Sequence, residues 1–218
     1  MKGIIFDMDG LMIDSERVTY EGYVELCEKL GKTLTVDMYV QCLGKPVPQI
    51  WDVFYKGFGS DFPAPEIMKA NHDRMAAQFE QEGVPVKPGL RPLLDYLKAQ
   101  GYKTCVATSS TRERVDKILA KADLANAFDE TICGDEVERG KPDPEIFLKA
   151  CQKLQLPPEA CLVLEDSEMG ILAASRAGIR VVCVPDMKYP EPEYAKKTWK
   201  IVERLDQVIP LLRESEQS

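Results

Sequence analysis

A chain of 218 residues, 44% of them hydrophobic, has enough apolar material for one domain carrying a large insertion or for two small domains. Its formal net charge of −8 and pI near 4.9 exclude nucleic acid and anionic membrane as expected partners. No apolar run approaches a membrane span, and seven cysteines with no C-x-x-C pair and no N-terminal signal segment read as reduced thiols of a cytoplasmic protein.

The first predicted element is a strand over 2–6, a short β-branched run that ends in acid. From 15 to 82 the pattern turns helical throughout, with Val18, Tyr23, Leu26, Cys27 and Leu30 as one apolar face and Pro46, Pro48, Pro63 and Pro65 as punctuation. Residues 83–89 look like a return linker. Leu90, Leu93, Leu94 and Leu97 then share a helix face that Gly101 stops. A second strand is predicted over 103–108, and Ser110 with Glu113 reads as a capping box that opens a helix directly after it. Further strands are expected at 130–133, 161–165, 180–184 and 199–202. Between them, Asp143 and Pro144 should open a helix through Leu148 and Leu154, and another should run from Ser167 to Gly178. The tail 214–218 is expected to fray. Strands alternating with helices imply a doubly wound, parallel, Rossmann-like α/β sheet, interrupted by one all-helical insertion. The expected division is a core of 1–14 with 83–218 and a helical domain of 15–82.

In such a sheet ligands bind beyond the carboxyl ends of the strands, so residues that close different strands meet at one edge. Asp7, Thr108 and Asp166 all close predicted strands. Asp7 and Asp9 would point the same way on a simple strand, although Gly10 is expected to turn the chain there. A carboxylate can attack phosphorus and split one hard displacement into two easier ones, a role for Asp7. Asp9 can protonate the leaving oxygen and later deprotonate water. Asp7 and Asp166, with the Asp9 carbonyl and Glu165, form a set of hard oxygens suited to Mg²⁺. Thr108 offers a hydroxyl, and the Ser109 and Ser110 N–H groups lie where a helix should begin, a place that favours phosphate. Lys141, projecting from a loop ahead of Pro142, would balance phosphate and nucleophile.

The ordered segments Phe6-Asp7-Met8-Asp9-Gly10, Ala107-Thr108-Ser109-Ser110, Gly140-Lys141-Pro142-Asp143-Pro144 and Leu164-Glu165-Asp166-Ser167 resemble the haloacid dehalogenase superfamily along essentially the whole chain. The resemblance implies an aspartyl-phosphate mechanism, a doubly wound core and a mobile helical cap. The acid at Asp9 favours phosphate esters over carbon–halogen or phosphonate substrates, and the first segment is most similar to the branch of β-phosphoglucomutase and small sugar-phosphate phosphatases. The mutase carries a histidine where this chain has Thr19 and a cap-loop arginine where it has Val47. Hydrolysis is therefore the expected reaction and phosphomutase chemistry the alternative, with a non-catalytic binding protein a distant third. The implied substrate is a small phosphorylated metabolite, and Gly44 and Lys45 are candidate cap contacts, with Arg74 behind them. His72 reads as surface, and Asp135 as either a partner of Lys141 or a plain turn acid. A monomer is compatible with these roles, though no feature of the chain sets an oligomeric state.

Overall fold

The computed structural model describes residues 1–216. It separates into two compact units, one made of Met1–Asp14 with the chain from Val84 onward, the other of Ser15–Gly83. Gly83 closes the helical unit rather than opening the return linker, because it is the C-cap of the preceding helix.

The first unit is built on a six-stranded, wholly parallel sheet of order β3-β2-β1-β4-β5-β6. The strands are β1 (Gly3–Phe6), β2 (Lys103–Ala107), β3 (Glu130–Ile132), β4 (Cys161–Glu165), β5 (Arg180–Cys183) and β6 (Lys200–Ile201). All six fall inside or on the expected runs, shortened by up to two residues because the terminal residues already turn into loops. β1 is buried at every position, as its unbroken apolar run requires. The chain winds outward from β1 through β2 to β3 and then returns to β4 on the other side of β1. In sheets of this kind ligands bind at such a reversal, beyond the carboxyl ends of the strands, here β1 and β4.

Helices α5 (Leu90–Gln100), α6 (Arg112–Lys121), α7 (Glu145–Leu154), α8 (Glu168–Arg176), α9 (Pro192–Ala195) and α10 (Val208–Glu216) complete this unit. Ile146, Phe147, Ala150, Cys151 and Leu154 of α7 and Ile171 and Ala174 of α8 pack with Ile5, Cys105, Val163 and Val181 of the sheet in one core. α5 buries Leu90, Leu93 and Leu97 while Leu94 sits at the rim. Two starts differ from expectation. α6 is capped by Thr111, whose Oγ1 accepts the Arg114 N–H, and not by Ser110, whose hydroxyl is engaged elsewhere. α7 begins one residue late, with Asp143 Oδ1 accepting the Glu145 N–H from outside the helix. α10 continues through Glu216, past the expected start of fraying; Gln217 and Ser218 lie outside the described residues.

The second unit holds α1 (Ser15–Glu28), α2 (Val36–Val40), α3 (Val47–Phe58) and α4 (Ala64–Glu82). Its core is aromatic, with Phe54 in ring contact with Tyr23, Phe58 and Phe62. Leu30 is 45% exposed and not part of the apolar face, since α1 ends before it.

Candidate active site

Backbone geometry at the end of β1 sets the first carboxylate. The Asp7 N–H donates to the Leu164 carbonyl, so Asp7 continues the sheet for one more bond toward β4. The chain then folds tightly, with the Met12 and Ile13 N–H groups both donating to the Met8 carbonyl. Gly10 makes this turn at φ 78°, and a Cβ there would lie 2.3 Å from Asp166 Oδ2. Only glycine satisfies both conditions. The turn also separates the two acids that a straight strand would align: Asp7 is buried and Asp9 is half-exposed.

Lys141 reaches Asp7 from the loop before α7. Its Nζ donates to Asp7 Oδ1 at 2.5 Å, to Glu165 Oε1 at 2.5 Å and to the Ala107 carbonyl at 3.2 Å. The Phe147 ring backs it at 4.9 Å, so the ammonium is screened little by water. Burial works to lower the Lys141 pKa, but the two carboxylates outweigh it and hold the group above its ordinary range. Burial pushes Asp7 up to about 7, with Lys141 opposing and the Glu165 and Asp9 charges adding to the rise.

Glu165 is fully buried and spends both oxygens. Oε2 accepts from the Asp166 N–H, the Ser167 N–H and the Ser167 hydroxyl, and Oε1 faces Lys141. Ser167 also caps α8 through the Gly170 N–H. A Cβ on Gly170 would fall 1.8 Å from Glu165 Oε1, so the helix can approach this carboxylate only with glycine there. Glu165 thus anchors Lys141 and the turn that presents Asp166.

Asp9 is held from the opposite side. Arg114, on the first turn of α6, forks onto it with Nη1 at 2.6 Å from Oδ2 and Nη2 at 2.7 Å from Oδ1. The Ser110 hydroxyl donates to the same Oδ2 at 2.9 Å. Thr108 is 2% exposed, and its Oγ1 accepts the Ser110 N–H at 3.1 Å. That N–H is therefore tied into the turn and not left open at a helix start, while Ser109 stands exposed.

Asp7, Glu165 and Asp166 offer carboxylate oxygens within 4.8 Å of one another. Three hard anionic donors at a strand-end crevice fit Mg²⁺, which takes oxygen ligands and keeps several waters. Because Glu165 already serves four donors, Asp7 and Asp166 are the carboxylates better disposed to such an ion. A second acidic group, Cys133 with Asp135 and Glu136, is accounted for by Arg112. The Arg112 N–H donates to Asp135, and its guanidinium pairs with Glu136. Asp135 is therefore not a partner of Lys141, because α6 starts above it and takes its carboxylate.

In the helical unit Gly44 and Lys45 are exposed in the turn before α3, and Val47 opens that helix. Arg74 is bound to Glu25 and Gln78, the ion pair of a solvated helix face, and His72 is exposed. The residues that sequence reasoning missed are Arg114 and Gly170. An arginine four positions after Ser110 was the one available signal for the first; the second had none, since its role depends on how α8 approaches β4.

The family model of the haloacid dehalogenase-like hydrolases matches residues 4–184. A phosphorylated carbohydrates phosphatase of Thermotoga maritima is 34% identical over 179 residues, 82% of each chain. Protein CbbY of Rhodobacter capsulatus is 31% identical over 214 residues, 92% of each chain. Among solved structures, CbbY from Rhodobacter sphaeroides in complex with phosphate superposes with a TM-score of 0.73 at 25% identity, covering 95% of this chain and 96% of that one.

Proposed function

The chain belongs to the haloacid dehalogenase-like hydrolases, and we propose that it is a magnesium-dependent phosphatase of small phosphomonoesters, sugar phosphates foremost. The observation that carries this reading is a buried Asp7 at the end of the central strand, held by Lys141 and lying beside Asp166. The Thermotoga relative, described as acting on phosphorylated carbohydrates, supports the substrate class.

Asp7 is the nucleophile. Lys141 holds its Oδ1, which leaves Oδ2 to approach phosphorus. Lys141 and the Thr108 hydroxyl carry the negative charge of the phosphoryl oxygens as the aspartyl-phosphate forms. Ser109, exposed at the same turn, completes the phosphate contacts, while Ser110 shapes that turn through its N–H bond to Thr108. Asp9 supplies a proton to the leaving alcohol and takes one from the water that later cleaves the acyl phosphate. Asp7 and Asp166 side chains and the Asp9 carbonyl would hold the metal, with Glu165 beside them. When bound, Mg²⁺ neutralises the clustered carboxylates and draws charge from the phosphoryl group. The helical unit is the specificity cap in this reading, with Gly44 and Lys45 as its substrate contacts. Seven buried free thiols support a reducing compartment, the cytoplasm.

The test is phosphate release from a panel of sugar phosphates, with and without Mg²⁺, by wild type and Asp7→Asn. Metal-dependent release that drops by about 10³-fold or more in the variant supports the reading. Full turnover by Asp7→Asn would overturn it. Conversion of β-glucose 1-phosphate to glucose 6-phosphate without free phosphate would reassign the same site to a phosphomutase.

A further inference from the structure

We propose that Arg114 is a positioning residue that aims the Asp9 carboxylate for both proton transfers. This inference rests on the reading of Asp9 as the acid–base group.

The geometry is that of a built cradle. Arg114 comes from α6 and Asp9 from the turn after β1, far apart in the chain, yet they meet through two parallel bonds of 2.6 and 2.7 Å. The Ser110 hydroxyl joins at 2.9 Å and is itself 2.5 Å from Arg114 Nη1, which closes a three-membered ring of contacts. The fork fixes the plane of the carboxylate as well as its place, which a single bond or a lysine ammonium cannot do. Side chains of Asp9 and Arg114 are 27% and 28% exposed, and an ion pair so open to water adds little to stability, which leaves orientation as what the fork supplies. Thr111 caps the helix turn from which Arg114 projects, and Ser110 belongs to the turn that holds Thr108. The cradle therefore ties the acid–base group to the phosphate-binding turn, which is the fixed relation that proton transfer in step with P–O cleavage needs.

In the first half, a bond forms between Asp7 and phosphorus, the ester P–O bond breaks, and the Asp9 proton passes to the departing alkoxide. In the second half, water attacks the same phosphorus, the Asp7–phosphorus bond breaks, and Asp9 recovers a proton from that water. The net change is ester plus water to alcohol plus phosphate.

A departing alkoxide needs the proton, whereas a nitrophenolate leaves without it. The experiment compares kcat/KM for a sugar phosphate and for p-nitrophenyl phosphate in wild type, Asp9→Asn, Arg114→Lys and Arg114→Met, with melting curves to confirm folding. The sugar phosphate is the best substrate from the panel above. Both Arg114 variants are expected to lose about 10- to 100-fold on the sugar phosphate and less than about threefold on the aryl ester, a muted copy of Asp9→Asn. Equal losses on both esters, no loss, or a gain on the sugar phosphate would overturn the inference. If Asp9→Asn itself lacks the leaving-group dependence, the acid–base reading fails first, and that result is separate from anything Arg114 does. Should Arg114→Met not fold, Arg114→Lys decides, since it keeps the charge and loses only the fork.

Discussion

At the scale of single residues, Lys141 bears the most on the site. Its side chain is 6% exposed and compensates two carboxylates, Asp7 and Glu165, whose own side chains are 10% and 0% exposed. Replacing it by methionine would fill the space and leave two acids facing each other without a cation. Removing one member of a buried ion pair costs about 3–5 kcal/mol, because the remaining charge has lost both water and partner. Lys141→Met is accordingly expected to unfold at markedly lower urea than wild type, as well as losing turnover. An unchanged urea midpoint would show that solvent reaches the two acids. From the chain alone Lys141 was marked by its place before Pro142 in an ordered set of segments. Its bond to Glu165 was not legible, since 24 residues separate them and only the sheet brings them together.

At the scale of elements, the loop that delivers Lys141 is fastened by the start of α7. Glu145 accepts the Glu138 and Arg139 N–H groups and pairs with Lys149, so one carboxylate pins the loop to the helix. The Lys149 bond, then those backbone donors, hold the Glu145 pKa down to about 2. A depressed acid adds stability that is present above its unfolded pKa near 4.5 and disappears as pH falls through about 2. Wild type should therefore melt above Glu145→Gln at pH 6, with the gap closing as pH drops from about 4.5 toward 2. A gap that persists at pH 2 would show that the loop does not depend on this charge. Element types were well marked by apolar runs, glycine stops and proline starts, but their first residues were not. Ser110 and Thr111 are both good caps in sequence terms, and the choice fell to Thr111 because Asp9 and Arg114 claim the Ser110 hydroxyl.

At the scale of the molecule, strand order decides function. Asp7, Thr108 and Asp166 follow β1, β2 and β4, which are neighbours in the sheet, so the strand order brings all three to one sheet edge. Packing within each unit buries all seven cysteines as free thiols, Cys27 and Cys42 in the helical unit and the other five in the sheet unit. An aromatic disulfide reagent should thus label almost none of them in the native protein and all seven in strong denaturant. Rapid native labelling would mean that the core opens locally on the time scale of the reaction.

What the sequence determined by itself was the inventory and its order: which acids, hydroxyl and cation exist, that they close successive strands, and that a helical stretch interrupts them. These follow from local rules of period, turn chemistry and capping, which act over a few neighbouring residues. The tertiary structure alone decided partnership. It turned Glu165 into the anchor of Lys141, gave Asp135 to Arg112, parted Asp7 from Asp9 at Gly10, and brought Arg114 onto Asp9. Those contacts join residues distant in the chain, and their geometry is set by how helices approach the sheet, which no local pattern encodes.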